Sequence, residues 1–332
     1  MTVSLWTRAK ALAARLFRRA PAAGRWTTGA KFSWRGWLTT LPWLWPRREY
    51  LLYLPAGWSR WRRAPLLLLC HGCKQTPEEF AQGTRIAALA DREGWLVLMP
   101  RQKDSANAWR CWNWFDQATG AGRGEAAIVA AMVRSVRRWR RADPARVVAV
   151  GMSAGGALAA VLGLRAAGVV RAAAVHSGVA CGAALSAFTA IGVMQRGPET
   201  DVEAIAASAR GADPSAVPLL AIHGEADGTV ATSNATALVR QYLRFNGHPA
   251  VPTPMLPASS LPPPDSEHHE LHGGRMTTTR EWSRDGRIVV RYVSIAGLGH
   301  AWSGGDDALP YNDAQGPDAT ALVADFIRDA LA

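Results

Sequence analysis

The stretch Arg146-Val147-Val148-Ala149-Val150-Gly151-Met152-Ser153-Ala154-Gly155-Gly156-Ala157-Leu158 decides how this chain is read. Its first half is a short, continuous apolar run rich in valine, the pattern of a strand covered on both faces. Its second half opens an Ala/Leu-rich segment with helical character that extends to Ala167. Between the two lies G-x-S-x-G, with Ser153 on the turn. A serine on so sharp a strand-to-helix turn needs neighbours without bulk two positions away, and Gly151 and Gly155 supply them. A helix starting at Ala154 also points its N-terminal amides toward charge developing beside the serine. The pentapeptide alone is common; the flanking strand and helix make Ser153 a nucleophile candidate.

A serine hydroxyl is a weak nucleophile at neutral pH, so it needs a base within hydrogen-bond reach and a group to hold that base. In hydrolases with this strand-turn-helix serine the chain order is nucleophile, acid, histidine. Residues 218–223 read as a strand that runs into His223-Gly224-Glu225-Ala226-Asp227-Gly228-Thr229, a turn-rich loop that supplies Asp227 as the acid, with Glu225 as its rival. Residues 288–295 read as the next strand and lead into Gly297-Leu298-Gly299-His300-Ala301-Trp302-Ser303-Gly304-Gly305, so His300 is the candidate base. His71, His176 and His223 also end strands; such residues more often hydrogen-bond and pack than react.

Working outward, further strand-like runs fall at 49–54, 65–71, 95–100 and 172–176, and helical stretches at 77–92, 124–141, 233–245 and 318–331. Strand and helix alternate, which predicts an α/β fold with a mostly parallel sheet and helices on both faces. The regular domain is expected over 49–332, after a leader over 1–48. Residues 26–48, rich in Trp, Gly, Pro and Arg, read as an irregular lead-in. The proline-rich segment 246–287 reads as a surface excursion, in which His268, His269 and His272 suggest a solvated loop rather than a metal site.

The net charge of +12 is unevenly placed: residues 1–48 hold ten Lys or Arg and no acid, which leaves 28 basic and 26 acidic side chains for the rest. Over 5–17, apolar residues fall on one arc and Arg8, Lys10 and Arg15 on the other, the pattern of a basic interfacial helix suited to an anionic membrane or a polymer granule. Arg15, Arg18 and Arg19 interrupt any secretory signal core, and cytoplasmic or granule-associated residence is expected. No stretch of about 18 uninterrupted apolar residues suggests a membrane span. A near-neutral body with a short basic run argues against a nucleic-acid partner.

Four cysteines fit neither a disulfide-dense module nor a paired-ligand zinc site. Cys70 and Cys73 form C-x-x-C, but Cys70 ends an apolar run and reads as a buried strand residue. An oxyanion would need two backbone donors, one from the residue after the nucleophile, Ala154, and one from the loop after an early strand, where Cys73 stands.

Four blocks resemble the poly(3-hydroxybutyrate) depolymerase family of esterases, related to feruloyl and acetylxylan esterases: His71-Gly72-Cys73-Lys74-Gln75-Thr76, Cys111-Trp112-Asn113-Trp114-Phe115, Gly151-Met152-Ser153-Ala154-Gly155-Gly156 and Gly299-His300-Ala301-Trp302-Ser303-Gly304-Gly305. Arg123-Gly124-Glu125 belongs to the same likeness. The resemblance implies an α/β-hydrolase fold, neither metal nor organic cofactor, hydrolysis of carboxylic esters such as hydroxyalkanoate oligomers, and Ser153, Asp227 and His300 as the triad. Because Cys73 and Cys111 each belong to a shared block, it also implies a disulfide between them. His71, Trp112, Trp114, Phe115 and Trp302 are candidates to line an apolar acyl cleft, with core packing the alternative for each aromatic ring. Rival functions are a feruloyl- or acetylxylan-type esterase, acyl transfer on the same site, and a granule- or envelope-binding protein with a non-catalytic body.

Overall fold

In the computed structural model, which describes residues 23–32, 47–210, 216–250 and 260–331, the apolar runs assemble into one ten-stranded sheet. Its strands are β1 (Arg25–Phe32), β2 (Arg47–Leu54), β3 (Ala64–Cys70), β4 (Leu96–Pro100), β5 (Ala142–Met152), β6 (Ala172–His176), β7 (Leu219–Gly224), β8 (Ser266–His272), β9 (Arg275–Arg284) and β10 (Arg287–Ile295). They lie in the order β1-β2-β4-β3-β5-β6-β7-β10-β9-β8. The six from β4 to β10 run parallel, and the flanking strands pair antiparallel. The chain moves outward from β3 to β4 and then returns to place β5 on the other side of β3. Such a reversal leaves a crevice at the carboxyl ends of the strands beside it, and the loops after β3 and β5 open there.

The helices are α1 (Pro77–Gly83), α2 (Ile86–Glu93), α3 (Gln117–Gly120), α4 (Gly124–Arg140), α5 (Ala154–Arg165), α6 (Ala187–Arg196), α7 (Val202–Arg210), α8 (Thr232–Phe245) and α9 (Ala319–Ala330); short strands β11 (Trp302–Ser303) and β12 (Asn312–Asp313) pair separately. One core layer lies between the sheet and α4, α5 and α8, the other between the sheet and α1, α2 and α9. Both faces of β3 are therefore covered and Leu66 to Leu69 are buried, each such side chain stabilising the fold by roughly 1.5–3 kcal/mol. Helix α5 is buried along its length, which its small residues permit: a Cβ on Gly163 would stand 2.0 Å from the Tyr242 hydroxyl.

The structure departs from the sequence reading in four places. The lead-in expected to be irregular contains β1, paired along its whole length with β2; Gly29 lies opposite Tyr50, where a Cβ would meet the ring at 2.3 Å. The expected helix over 77–92 is two helices, because Thr84 closes α1 and Arg85 takes a left-handed φ of 53°. The excursion over 246–287 carries the β8–β9 hairpin, so His268, His269 and His272 lie on an exposed edge strand instead of a loop. Helices α6 and α7 fall where none is expected. The basic helix expected over 5–17 lies outside the described residues, among which no helix is long and apolar enough to cross a membrane.

Candidate active site

Ser153 sits between β5 and α5 at φ 56°, ψ −124°, a conformation that costs a non-glycine residue about 1–3 kcal/mol and persists only when its surroundings enforce it. They do so by close packing. A Cβ on Gly155 would lie 2.1 Å from the Cys70 carbonyl oxygen, and one on Gly151 would lie 2.3 Å from the Gly155 carbonyl oxygen. The Ser153 N–H donates to the His176 carbonyl at 2.9 Å and ties the turn to β6.

The loop after β7 carries Asp227. Its Oδ1 accepts from the amides of Thr229 and Val230, both at 2.9 Å, while Oδ2 stands 2.8 Å from His300 Nδ1. The Asp227 side chain is fully enclosed. Burial pushes its pKa upward, but the His300 hydrogen bond and charge, the Val230 amide and His223 outweigh that and hold it at about 2. An ionised carboxylate on Nδ1 fixes the ring with its proton there, which leaves Nε2 as the basic nitrogen. Glu225, the rival acid, is exposed, and the carboxylate paired with His300 is that of Asp227. His300 and Ser153 line the same cavity.

The other buried histidines build this edge of the sheet. His176 stacks on Trp302 with ring centroids 5.2 Å apart and accepts the Ser303 N–H at 3.4 Å, which supports the strand beyond His300. Burial, together with the nearby His223 and His300, lowers its pKa to about 3. His71 donates from Nδ1 to the Gly72 carbonyl at 2.7 Å and accepts the Gln102 N–H on Nε2 at 3.3 Å; burial lowers its pKa to about 4. His223 donates to the Val230 carbonyl at 2.8 Å.

The loop after β3 presents Cys73 to the cavity. Gly72 N–H donates to Gln75 Oε1 at 2.8 Å and Lys74 N–H to the Trp109 carbonyl at 2.7 Å. The Cys73 amide between them has no acceptor among the described residues. A disulfide joins Cys73 to Cys111, while Cys70 and Cys181 are free and buried. Beneath this bridge is a hub that the sequence reading placed in no role. Glu125 accepts from Gln102 Nε2 at 2.6 Å, from the Asn113 amide at 2.8 Å and from Arg48 at 3.2 Å. It thereby holds the 111–115 block against β2 and β4; the only sequence signal for it was its presence in Arg123-Gly124-Glu125.

The cavity is about 520 Å³. Trp114 and Phe115 line it together with Trp109, and Ala190, Ile191 and Met194 of α6 contribute further wall. His71, Trp112 and Trp302 do not line it. Trp112 is buried and donates to the His71 carbonyl at 3.1 Å, and Trp302 packs edge-on to Phe80 while donating to Thr320 Oγ1 at 3.1 Å. Each indole turns into the core because its N–H finds a partner there. Among the described residues no group of His, Cys, Asp and Glu could hold a metal ion.

A parallel sheet with helices on both faces, reversing beside a serine on a strand-to-helix turn, defines an α/β-hydrolase fold. The acetyl xylan esterase of Aspergillus awamori shares it with a TM-score of 0.65 at 18% identity, the match covering 92% of this chain and all of that one. The family described as esterase PHB depolymerase matches residues 48–252, and the chain belongs to that family. It is 28% identical over 253 residues to the poly(3-hydroxyalkanoate) depolymerase C of Paucimonas lemoignei, covering 75% of this chain and 57% of the depolymerase. It is 31% identical over 126 residues to the feruloyl esterase B of Thermothelomyces thermophilus, covering 38% of this chain and 43% of that enzyme. The matched stretch thus spans about half the length of these relatives.

Proposed function

We propose that the chain is a serine carboxylic-ester hydrolase acting through an acyl-enzyme on Ser153. The observation that carries this reading is the 2.8 Å pair of His300 and the enclosed Asp227, opening on the same cavity as a serine held at positive φ. Ser153 Oγ attacks the ester carbonyl as His300 Nε2 takes its proton, and Asp227 stabilises the resulting imidazolium. The amides of Cys73 and Ala154 donate to the oxyanion. Collapse expels the alcohol, which receives the proton from His300. Water then repeats the sequence on the acyl-enzyme, releasing the acid and restoring Ser153. No metal or organic cofactor enters these steps.

The substrates proposed are hydroxyalkanoate oligomers, poly(3-hydroxybutyrate) or similar short-chain esters. Support comes from the family and from the apolar cleft, where the partly exposed Trp109 and Ile191 offer apolar surface to a hydrophobic chain. A feruloyl-type ester is the second reading, favoured by the cluster of Trp109, Trp114 and Phe115 on one wall. Transfer to an alcohol in place of water would use the same groups. The basic segment 1–48 is proposed as an added contact with an anionic membrane or granule. Turnover of a short-chain p-nitrophenyl ester is expected to fall at least about a thousandfold in Ser153→Ala. Equal rates for the two proteins would favour a binding protein with an inactive body, and products from hydroxybutyrate trimers, feruloyl sugars and acetylated xylan would separate the substrates.

A further inference from the structure

The near-neutral charge of the body conceals a strongly segregated one. At the end of the sheet opposite Ser153, the β2–β3 turn meets the last turn of α4 and the start of β5, where Ala64 pairs with Ala142. Positions 60–63 and 134–146 together hold nine arginines and a single acid, Asp143, which Arg146 pairs with at 3.0 Å. Among the described residues, Arg62, Arg137, Arg138 and Arg141 have no carboxylate partner, and Arg63 shares Asp143 with Arg146. A helix C-terminus is satisfied by one or two cations, so the dipole of α4 does not account for this number.

Two indoles stand within the same face. Trp61 is 73% exposed and Trp139 is 70% exposed, and each carries a guanidinium over its ring, Arg60 at 4.7 Å and Arg138 at 5.4 Å. Arg140 lies 6.0 Å from the ring of Trp58, which connects the turn to the helix, and Arg63 faces Arg137 and Arg138 across a shallow depression of about 450 Å³. Exposed tryptophans bedded in arginine suit the headgroup layer of a bilayer, where the ring enters the interface and the cation meets phosphate. A single strand of nucleic acid would need open ring faces for its bases, and here one face of each indole is already taken.

We propose that this Arg/Trp face docks the protein on an anionic phospholipid bilayer. β3 runs from Ala64 at the face to Cys70 at the catalytic edge, about 20 Å away, so a docked molecule turns its cleft away from the lipid. The proposal does not depend on the catalytic reading.

The full chain is sedimented with vesicles of phosphatidylcholine, alone or with about one third phosphatidylglycerol, at about 0.1 M and 0.5 M salt. Binding is expected only to the anionic vesicles and is weaker at high salt. Arg63→Gln/Arg137→Gln/Arg138→Gln should lower the affinity on the order of a hundredfold, and Trp61→Ser/Trp139→Ser about tenfold, with residues 1–22 unaltered. Native-like melting of both variants, and turnover of a soluble ester at the parent rate where the parent is active, report intact folding. Partitioning that ignores the charge of the vesicle, or is unchanged in the arginine variant, overturns the proposal. So does tighter binding of a single-stranded RNA oligonucleotide that the Trp61/Trp139 variant loses.

Discussion

Reducing the Cys73–Cys111 bridge tests how the loop proposed to donate the Cys73 amide to the oxyanion is held. The bridge closes 38 residues of chain, and by loop-closure entropy its loss costs about 4 kcal/mol of stability. With a urea dependence near 3 kcal/mol per molar, the unfolding midpoint should fall by about 1.3 M in the reduced protein or in Cys73→Ala/Cys111→Ala. The effect on chemistry is smaller than that of removing a donor outright, which costs about 10²–10³ in kcat. The loop keeps the Lys74 amide on the Trp109 carbonyl and the Trp112 indole on the His71 carbonyl, so the Cys73 amide is misaimed rather than lost. A fall of about tenfold in kcat with little change in KM is expected. The assay pairs p-nitrophenyl ester kinetics with a thiol count under denaturing conditions, which should rise from two, Cys70 and Cys181, to four. Fully reduced protein that keeps both its kcat and its urea midpoint would refute the reasoning.

Asp227→Asn should lower kcat about 10⁴-fold while leaving the fold intact. Because the folded pKa of Asp227 is depressed from 3.8 to about 2, its stabilisation is complete above pH 4 and lost as the pH falls toward 2. The stability gap between parent and Asp227→Asn should therefore shrink by about 2 kcal/mol across that window, as urea titrations at several pH values can check. His176 and His71, depressed from 6.5 to about 3 and about 4, stay neutral when folded but take up protons when unfolded below pH 6.5. Burial lowers the pKa of His223 in the same direction, so stability should drop by roughly 2 kcal/mol or more per pH unit between pH 6 and 4, and His176→Gln should make that slope shallower; a flat profile would count against it. Glu125→Gln, which removes the charge answering the largely buried Arg48, should cost about 3 kcal/mol, read as a lowered melting temperature.

The central strands and the β5–α5 turn were legible because burial on both faces writes continuous apolar runs, and because Gly151 and Gly155 face backbone too close to tolerate a side chain. Asp227 and His300 were legible as loop residues following such strands. Helix α6 was not, because its apolar residues serve the core at Val193, the cavity wall at Ile191 and Met194, and solvent at Phe188 rather than one buried face. Strand β8 escaped for a related reason: nearly every residue in it is exposed, so it lacks the alternation of a half-buried strand. The aromatic residues divide on a point that spacing does not encode. Trp112 and Trp114 are two positions apart, yet the first turns its indole toward the His71 carbonyl and the second toward the cavity.

The outermost described strand reads Ser266-Glu267-His268-His269-Glu270-Leu271-His272, and its carboxylates are held in place, Glu267 by Arg280 at 2.8 Å and Glu270 by His272 at 2.6 Å. A foreign chain seeking to extend the sheet there would have to strip water from these hydrogen-bonded carboxylates before gaining its first backbone hydrogen bond. The fold can thus afford an open margin in crowded solution: the row of groups that left the strand hard to see in the sequence is also what discourages stacking into fibrils.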